Sequence, residues 1–467
     1  MREKEFKVND YITLKLEGDK SVIYLNGEKF NQCKYLAFNI LLDDIEELDA
    51  IQSIDEMEEI DRNALYRTLK INPEEEFWGH CSNLQAWVEN EYDSLMLHRT
   101  LAFPLLKWLT MADDSLAKRV FKDEIAKRFA SGHPSVVEYL IKNKYLTYLN
   151  KEELLSLGIE SVGFRGERIP IFDNSLKLTD KSVEDLSEIK GLFELNSLQS
   201  VDLARNKISN VLMSIAQLSS LQKLNLDENK LTNLPKSIGD LSSLQELSLQ
   251  LNQLTNLPKS IGDLSSLQAL NLSGNKLTKF TKSIGKLSAL QKLDFHYNQL
   301  KDLPDTVGTL SLLQDLYLHD NQLEILPESI GSLTSLQRLN LKNNKLERLP
   351  ESFGGLISLQ RLNLEKNQLE ILPESIGDLT SLQRLNLKHN KLEKLPESIG
   401  DLTSLQILQL DKNQLTTLPK SMFKLTSLKK LYIAGNQLDS SIKSKLQRLR
   451  KNGVLIYRNW ESLFKYE

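Results

Sequence analysis

From Leu198 onward the apolar and polar positions follow one rule. Leucine, or an equivalent, recurs in the order LxxLxL, and two variable residues and an asparagine follow. The asparagines are Asn206, Asn229, Asn252, Asn275, Asn298, Asn321, Asn344, Asn367, Asn390, Asn413 and Asn436, each 23 residues beyond the last. The unit is close to LxxLxLxxNxLxxLPxSIGxLxS, and residues 382–404 (LQRLNLKHNKLEKLPESIGDLTS) are one regular copy. Alternation about Leu385 and Leu387 predicts a short strand with one buried face. One such strand cannot bury that face alone, whereas stacked copies share a continuous core. The asparagine suits the turn after the strand, where a stacked amide can satisfy backbone groups that have no ladder partner. Leu395-Pro396 is expected to close that turn, because proline fixes φ. Ser398, Ile399, Gly400 and Leu402 should then carry the chain back across the convex side, with glycine allowing a tight bend.

These residues resemble the leucine-rich repeat proteins, in their intracellular 23-residue LPxSIGxL form with Ras-associated-like repeats; the resemblance covers about residues 198–438. It implies an α/β fold, a curved solenoid with a parallel sheet along its concave side. It also implies a non-enzymatic scaffold that binds a protein partner on that face. Several proteins of this form are associated with small Ras-like GTPases, so a small GTPase or another intracellular signalling protein is the implied class of partner.

The ends of the array depart from the unit, as capping copies must. Residues 175–195 keep some apolar spacing but lack the asparagine and the Leu-Pro pair, which makes them a degenerate first copy. Val211-Leu212 and Phe280-Thr281 replace Leu-Pro, and a local adjustment of the convex turn is expected at Thr281. Residues 441–451 have helical spacing, 454–457 read as a last strand, and NWESLFKYE is expected to cover the final edge. Before the repeats, residues 11–29 hold two alternating runs joined by EGDK, a β-hairpin signal. Helical patterns follow from Gln32, with Pro73 near one start and Asp114 and Asn150 as N-caps. Residues 159–173 read as the connection into the solenoid. The expected organisation is a hairpin and helical domain over 1–165, a linker and capping copy over 166–197, repeats over 198–439 and a C-terminal cap over 440–467.

Composition narrows function by exclusion. A net charge of −4 over 467 residues demands neither nucleic acid nor an anionic membrane as partner. Two cysteines, Cys33 and Cys81, and a charged first segment where a secretory signal would be apolar lead to the expectation of a cytoplasmic protein. His80, Cys81 and His98 match no closed zinc spacing, and no phosphate-binding loop or hydrolase motif occurs, so no metal, cofactor or catalytic residue is assigned. Carboxylate runs such as Asp43-Asp44, Glu58-Glu59 and Glu74 to Glu76 read as solvated faces.

The positions that vary between repeats map the concave surface, since side chains alternate across a strand. Early copies are acidic, with Asp202, Asp227, Glu228 and Glu246. The middle holds His296, Tyr297, Tyr317 and His319, and a stripe of Arg338, Arg361 and Arg384 lies beyond, with Lys342 and Lys388 beside it. Tyrosine and arginine are enriched at binding hot spots, and opposite charges on either side would orient a partner. The partner-binding residues expected are therefore His296, Tyr297, Tyr317 and His319 as anchors, with Arg338, Arg361 and Arg384 pairing with acidic groups. Two alternatives come from the same residues: an enzyme or enzyme subunit with chemistry in 1–165 and the repeats choosing substrate, and nucleic-acid binding through the arginines.

Overall fold

The computed structural model describes residues 4–30, 72–439 and 442–457. The chain divides into two compact units, Met1–Ile171 and Phe172–Glu467. Cys33, the carboxylate pairs at 43–44 and 58–59, the first expected helix and the NWESLFKYE segment lie outside the described residues.

In the first unit an antiparallel sheet runs in chain order through β1 (Lys4–Lys7), β2 (Ile12–Glu17), β3 (Lys20–Leu25) and β4 (Glu28–Lys29). The expected hairpin is its centre, and Ile12, Leu14 and Leu16 of β2 are buried on alternate positions. Among the described residues five helices follow: α1 (Pro73–Glu89), α2 (Arg99–Met111), α3 (Ser115–Ala130), α4 (Pro134–Lys142) and α5 (Lys151–Ser156). Asn72 caps α1 by accepting from the Glu74 N–H at 3.0 Å. Glu74, Glu75 and Glu76 sit in its first turn, where negative charge complements the helix dipole. Asp114 caps α3, and Asn150 with Glu153 forms a reciprocal capping box on α5.

His80 and Cys81 point from α1 into the core, together with Phe77, Leu84 and Trp87. Burial pushes the Cys81 thiol up to about 11, away from the thiolate that a metal or disulfide needs. His98 accepts from the Thr100 N–H as the N-cap of α2. Among the described residues no three His, Cys, Asp or Glu side chains are grouped to hold a metal.

Residues 159–173, expected to be a plain connection, contain a second hairpin, β5 (Ser161–Phe164) with β6 (Glu167–Pro170). Arg165 and Gly166 make its two-residue turn, both with positive φ (49° and 85°).

The second unit carries a thirteen-stranded parallel sheet whose strands neighbour one another in chain order. It starts with β7 (Ser175–Lys177), β8 (Ser200–Asp202), β9 (Lys223–Asn225), β10 (Glu246–Ser248), β11 (Ala269–Asn271) and β12 (Lys292–Asp294). It continues through β13 (Asp315–Tyr317), β14 (Arg338–Asn340), β15 (Arg361–Asn363), β16 (Arg384–Asn386), β17 (Ile407–Gln409), β18 (Lys430–Tyr432) and β19 (Leu455–Tyr457). From β8 to β18 each residue pairs with the one 23 positions on, such as Leu339 with Leu362. A helix, α6 (Ile442–Lys451), precedes the last strand and buries Ile442, Leu446 and Leu449. No helix among the described residues is long and apolar enough to cross a membrane.

The asparagines perform the role expected of them. Asn390 donates to the carbonyls of Leu387 (3.0 Å) and Leu364 of the preceding repeat (2.9 Å) and accepts from the Leu369 N–H (3.0 Å). Each amide thus satisfies backbone groups that the strand ends would otherwise strand in the core.

Two details of the return path differ from expectation. Proline opens the convex turn rather than closing the preceding one: Pro396, at φ −66° and ψ 154°, caps a 3₁₀ turn over Glu397–Asp401. Where Thr281 stands in its place, φ is −72° and ψ 131°, so the turn persists with a small change in ψ, and Phe280 packs against Phe295 at 5.0 Å between ring centroids. The following glycine allows close stacking, not a bend. A Cβ on Gly331 would lie 2.0 Å from the Ser352 carbonyl oxygen of the next repeat, and one on Gly400 would lie 2.3 Å from that of Ser421. Its backbone is outside the left-handed region.

Candidate functional site

The residue just before each ladder asparagine has positive φ in all eleven repeats, from 52° at Tyr297 to 70° at Gly435. This backbone follows from the asparagine bonds, which pull the chain sharply inward after the strand. Glycine holds the position twice, at Gly274 and Gly435. Elsewhere an L-residue bears a steric cost of about 1–2 kcal/mol. Polar residues tolerate such a site best, and most copies have one. Leu251 and Tyr297 are the large apolar exceptions. Leu251 leans over Gly274, whose missing side chain leaves it room. Tyr297 stands 61% exposed.

Tyr297 belongs to a cluster made by two successive repeats. β12 ends at Asp294, and the turn after it presents His296 and Tyr297. β13 ends at Tyr317, and its turn presents His319. Asp294 accepts from the His296 backbone N–H at 3.1 Å and lies 2.6 Å from its Nδ1, which fixes that ring with Nδ1–H donating. The His296 ring then stacks on His319, with centroids 4.4 Å apart and planes 7° from parallel. Tyr297 meets both imidazoles edge-on, at 5.3 Å and 6.1 Å. Tyr317 meets His319 edge-on at 6.5 Å, and the Lys292 ammonium lies 5.9 Å from the Tyr317 centroid. His319 is half-buried, and Nδ1 has no hydrogen-bond partner among the described residues. Burial first, then the neighbouring His296, pushes its pKa down.

The arginine stripe is not uniform. Arg338 holds Asp315 of the adjacent strand through Nη1, at 3.1 Å and 2.9 Å to the two carboxylate oxygens. Asp315 first, then Tyr317, raises the pKa of that guanidinium. Lys342 is paired in the same way with Glu365 at 3.2 Å. Arg361 and Arg384 stand exposed on β15 and β16 as direct register partners. The structure thus brings His296, Tyr297, Tyr317 and His319 together, sets Arg361 beside Arg384, and engages Arg338 internally. Asp315 and Lys292 were not singled out as contributors. A search for opposite charges 23 residues apart finds the first, because that offset is the strand register.

The acidic early copies form a separate area. Asp227 accepts from Ser248 Oγ at 2.6 Å and the Gln250 N–H at 2.7 Å, while burial pushes its carboxyl up. Lys223 pairs with Glu246 at 2.8 Å. An open depression of about 400 Å³ there is lined by Ser200, Asp202, Lys223, Glu246 and Ala269 among others.

Comparison with known families decides what this array is. The family described as "Leucine-rich repeat region" matches residues 306–391, and "Leucine rich repeat" matches 219–277, 369–415, 380–438 and 403–451. The array is built of leucine-rich repeats. Among solved structures, the leucine-rich repeat solenoid is similar to an internalin from Listeria monocytogenes at 21% identity and TM-score 0.57, over 71% of this chain and 88% of that one. It is also similar to a chain of the octameric complex of Latrophilin 3, Unc5D and FLRT2, at 23% identity and TM-score 0.51, over 62% of this chain and 90% of that one. A leucine-rich repeat protein of Leptospira interrogans matches at 30% identity and TM-score 0.36, over 60% of this chain and 94% of that one. No curated protein gives a significant match.

Proposed function

We propose that this leucine-rich repeat protein is a non-enzymatic interaction scaffold whose protein partner seats on the concave face over β12 to β16, anchored on Tyr297 and its neighbours. The observation that carries the reading is the backbone at Tyr297. Folding favours glycine or a small polar residue at φ 52°, and this chain places there an aromatic ring that is 61% exposed. Strain held at a site that folding does not require points to a gain made elsewhere. A large, rigid ring beside a second tyrosine and two stacked imidazoles is the kind of surface that fills a partner's pocket.

The family resemblance supports an intracellular signalling protein, such as a small GTPase, as the partner, and the two-cysteine composition supports the cytoplasm as the setting. In FLRT2 the same repeat class occurs within an octameric complex, which is an analogy of fold. The test is to identify a partner by capture on the intact chain, purify it, and titrate it against the wild type and Tyr297→Gly. The expected result is a loss of affinity of about tenfold or more, as for a hot-spot aromatic. Equal affinity would remove the site from the concave aromatic cluster.

A further inference from the structure

The solenoid neutralises much of its concave charge between neighbouring strands. Lys223 meets Glu246 at 2.8 Å, Arg338 meets Asp315 at 2.9 Å and Lys342 meets Glu365 at 3.2 Å. Arg361 and Arg384 break that habit. They are register partners on adjacent strands, both exposed, and neither has an acidic partner among the described residues. Like charges directly opposite one another on neighbouring strands destabilise a sheet. Arg338, next in the row, is held by Asp315 on its far side. Glu365, the nearest carboxylate in sequence, is occupied by Lys342 and by the Asn386 amide at 3.2 Å. Exposed Lys366 adds positive charge in the adjoining turn.

We propose that Arg361 and Arg384 receive two nearby carboxylates from an acidic, extended segment of the protein partner. The inference rests on the concave-face reading above and names the chemistry of what lies there. Adjacent strands are about 4.8 Å apart, and an extended chain presents side chains on one face about every 6.7 Å. Long arginine stems span that difference. A guanidinium is planar and binds a carboxylate through two parallel hydrogen bonds, which lysine cannot match. Arg361 lies two strands beyond Tyr317 and Arg384 three, so one partner can contact both areas.

The test uses the full chain and fluorescence anisotropy with a short labelled peptide of alternating Glu and Ala. The comparison probes are the same peptide with Gln for Glu, one with phosphoserine for Glu, and a single-stranded oligoribonucleotide. The Glu peptide should bind and the Gln peptide should not, with affinity falling as salt is added. Arg361→Ala with Arg384→Ala should weaken it about tenfold or more, Arg338→Ala far less, and the double lysine variant should recover only part of the loss. Full binding by the double alanine variant, or equal binding of the Gln peptide, would overturn the proposal. A phosphoserine peptide that binds where the Glu peptide does not would overturn the carboxylate assignment, and an oligoribonucleotide that binds more tightly than the Glu peptide would overturn the partner class. Failure here with Tyr297-dependent partner binding intact would remove this inference alone.

Discussion

The imidazoles of His296 and His319 stack face to face, 4.4 Å apart at their centroids. The partners differ in what holds them: Asp294 accepts a hydrogen bond from the Nδ1–H of His296, while His319 is half-buried with Nδ1 unpartnered among the described residues. Burial first, then His296, pushes the His319 pKa down, and burial first does the same to His389. A histidine whose folded pKa lies below its unfolded value binds its proton more readily when unfolded. Its contribution to stability is complete above the unfolded value of about 6.5, begins to be lost as pH falls below that, and is gone once pH has fallen through the lower folded value. Denaturant midpoints of the solenoid should therefore decline from about pH 7.5 to about pH 5.5, and His319→Asn should flatten the decline. An unaltered slope in that variant would show that His319 does not titrate between the two states.

The ladder asparagines predict a sharp loss on truncation. Asn344 donates to Leu318 and Leu341 at 3.0 Å and accepts from Leu323 at 3.0 Å. Asn344→Ala strands the buried Leu323 N–H, while the Leu318 and Leu341 carbonyls keep Asn321 and Asn367 as donors, so the cost is about 1–3 kcal/mol. Asn436, half-buried at the end of the array, should cost less when changed to Ala. Chemical denaturation of the two variants checks the order.

The convex glycines predict a second, different loss. Gly331→Ala places a methyl 2.0 Å from the Ser352 carbonyl oxygen, and the two repeats must separate, at about 1–3 kcal/mol. Gly435→Ala meets a Lys412 side-chain carbon at 3.2 Å but bears the left-handed φ of 70°, about 1 kcal/mol. Thermal melts should rank Gly331→Ala as the more damaging change.

Much of this fold was legible because the repeat copies its own register. The spacing of the asparagines places every strand from β8 to β18 and the bonds that cap it. The glycine's purpose was not legible, since a bend and a close approach call for the same residue, and only the Ser352 carbonyl distinguishes them. The β5–β6 hairpin was missed because Arg165-Gly166 lacks the Asn-Gly or Asp-Gly pair that marks such turns. β1 was missed because its four residues, KEFK, carry one apolar side chain. At the candidate site the grouping of Tyr297, Tyr317 and the histidines could be read by aligning the copies. The pairing of Arg338 with Asp315 could not, because columns were read along the array as separate surfaces and not across the strand register. The left-handed backbone at Tyr297 was hidden as well, since only two of the eleven equivalent positions are glycine.

The central claim is that Tyr297 serves a partner and not the fold. Its most direct test is one variant, Tyr297→Gly, measured twice: by thermal unfolding and by calorimetric titration with the purified partner. Glycine relieves about 1–2 kcal/mol of backbone strain and gives up about 0.5–1.5 kcal/mol of ring contacts with each histidine. Stability unchanged within about 1 kcal/mol, together with affinity reduced about tenfold or more, is the result expected. A clear drop in stability with affinity intact would make the ring a structural part of the array and contradict the claim.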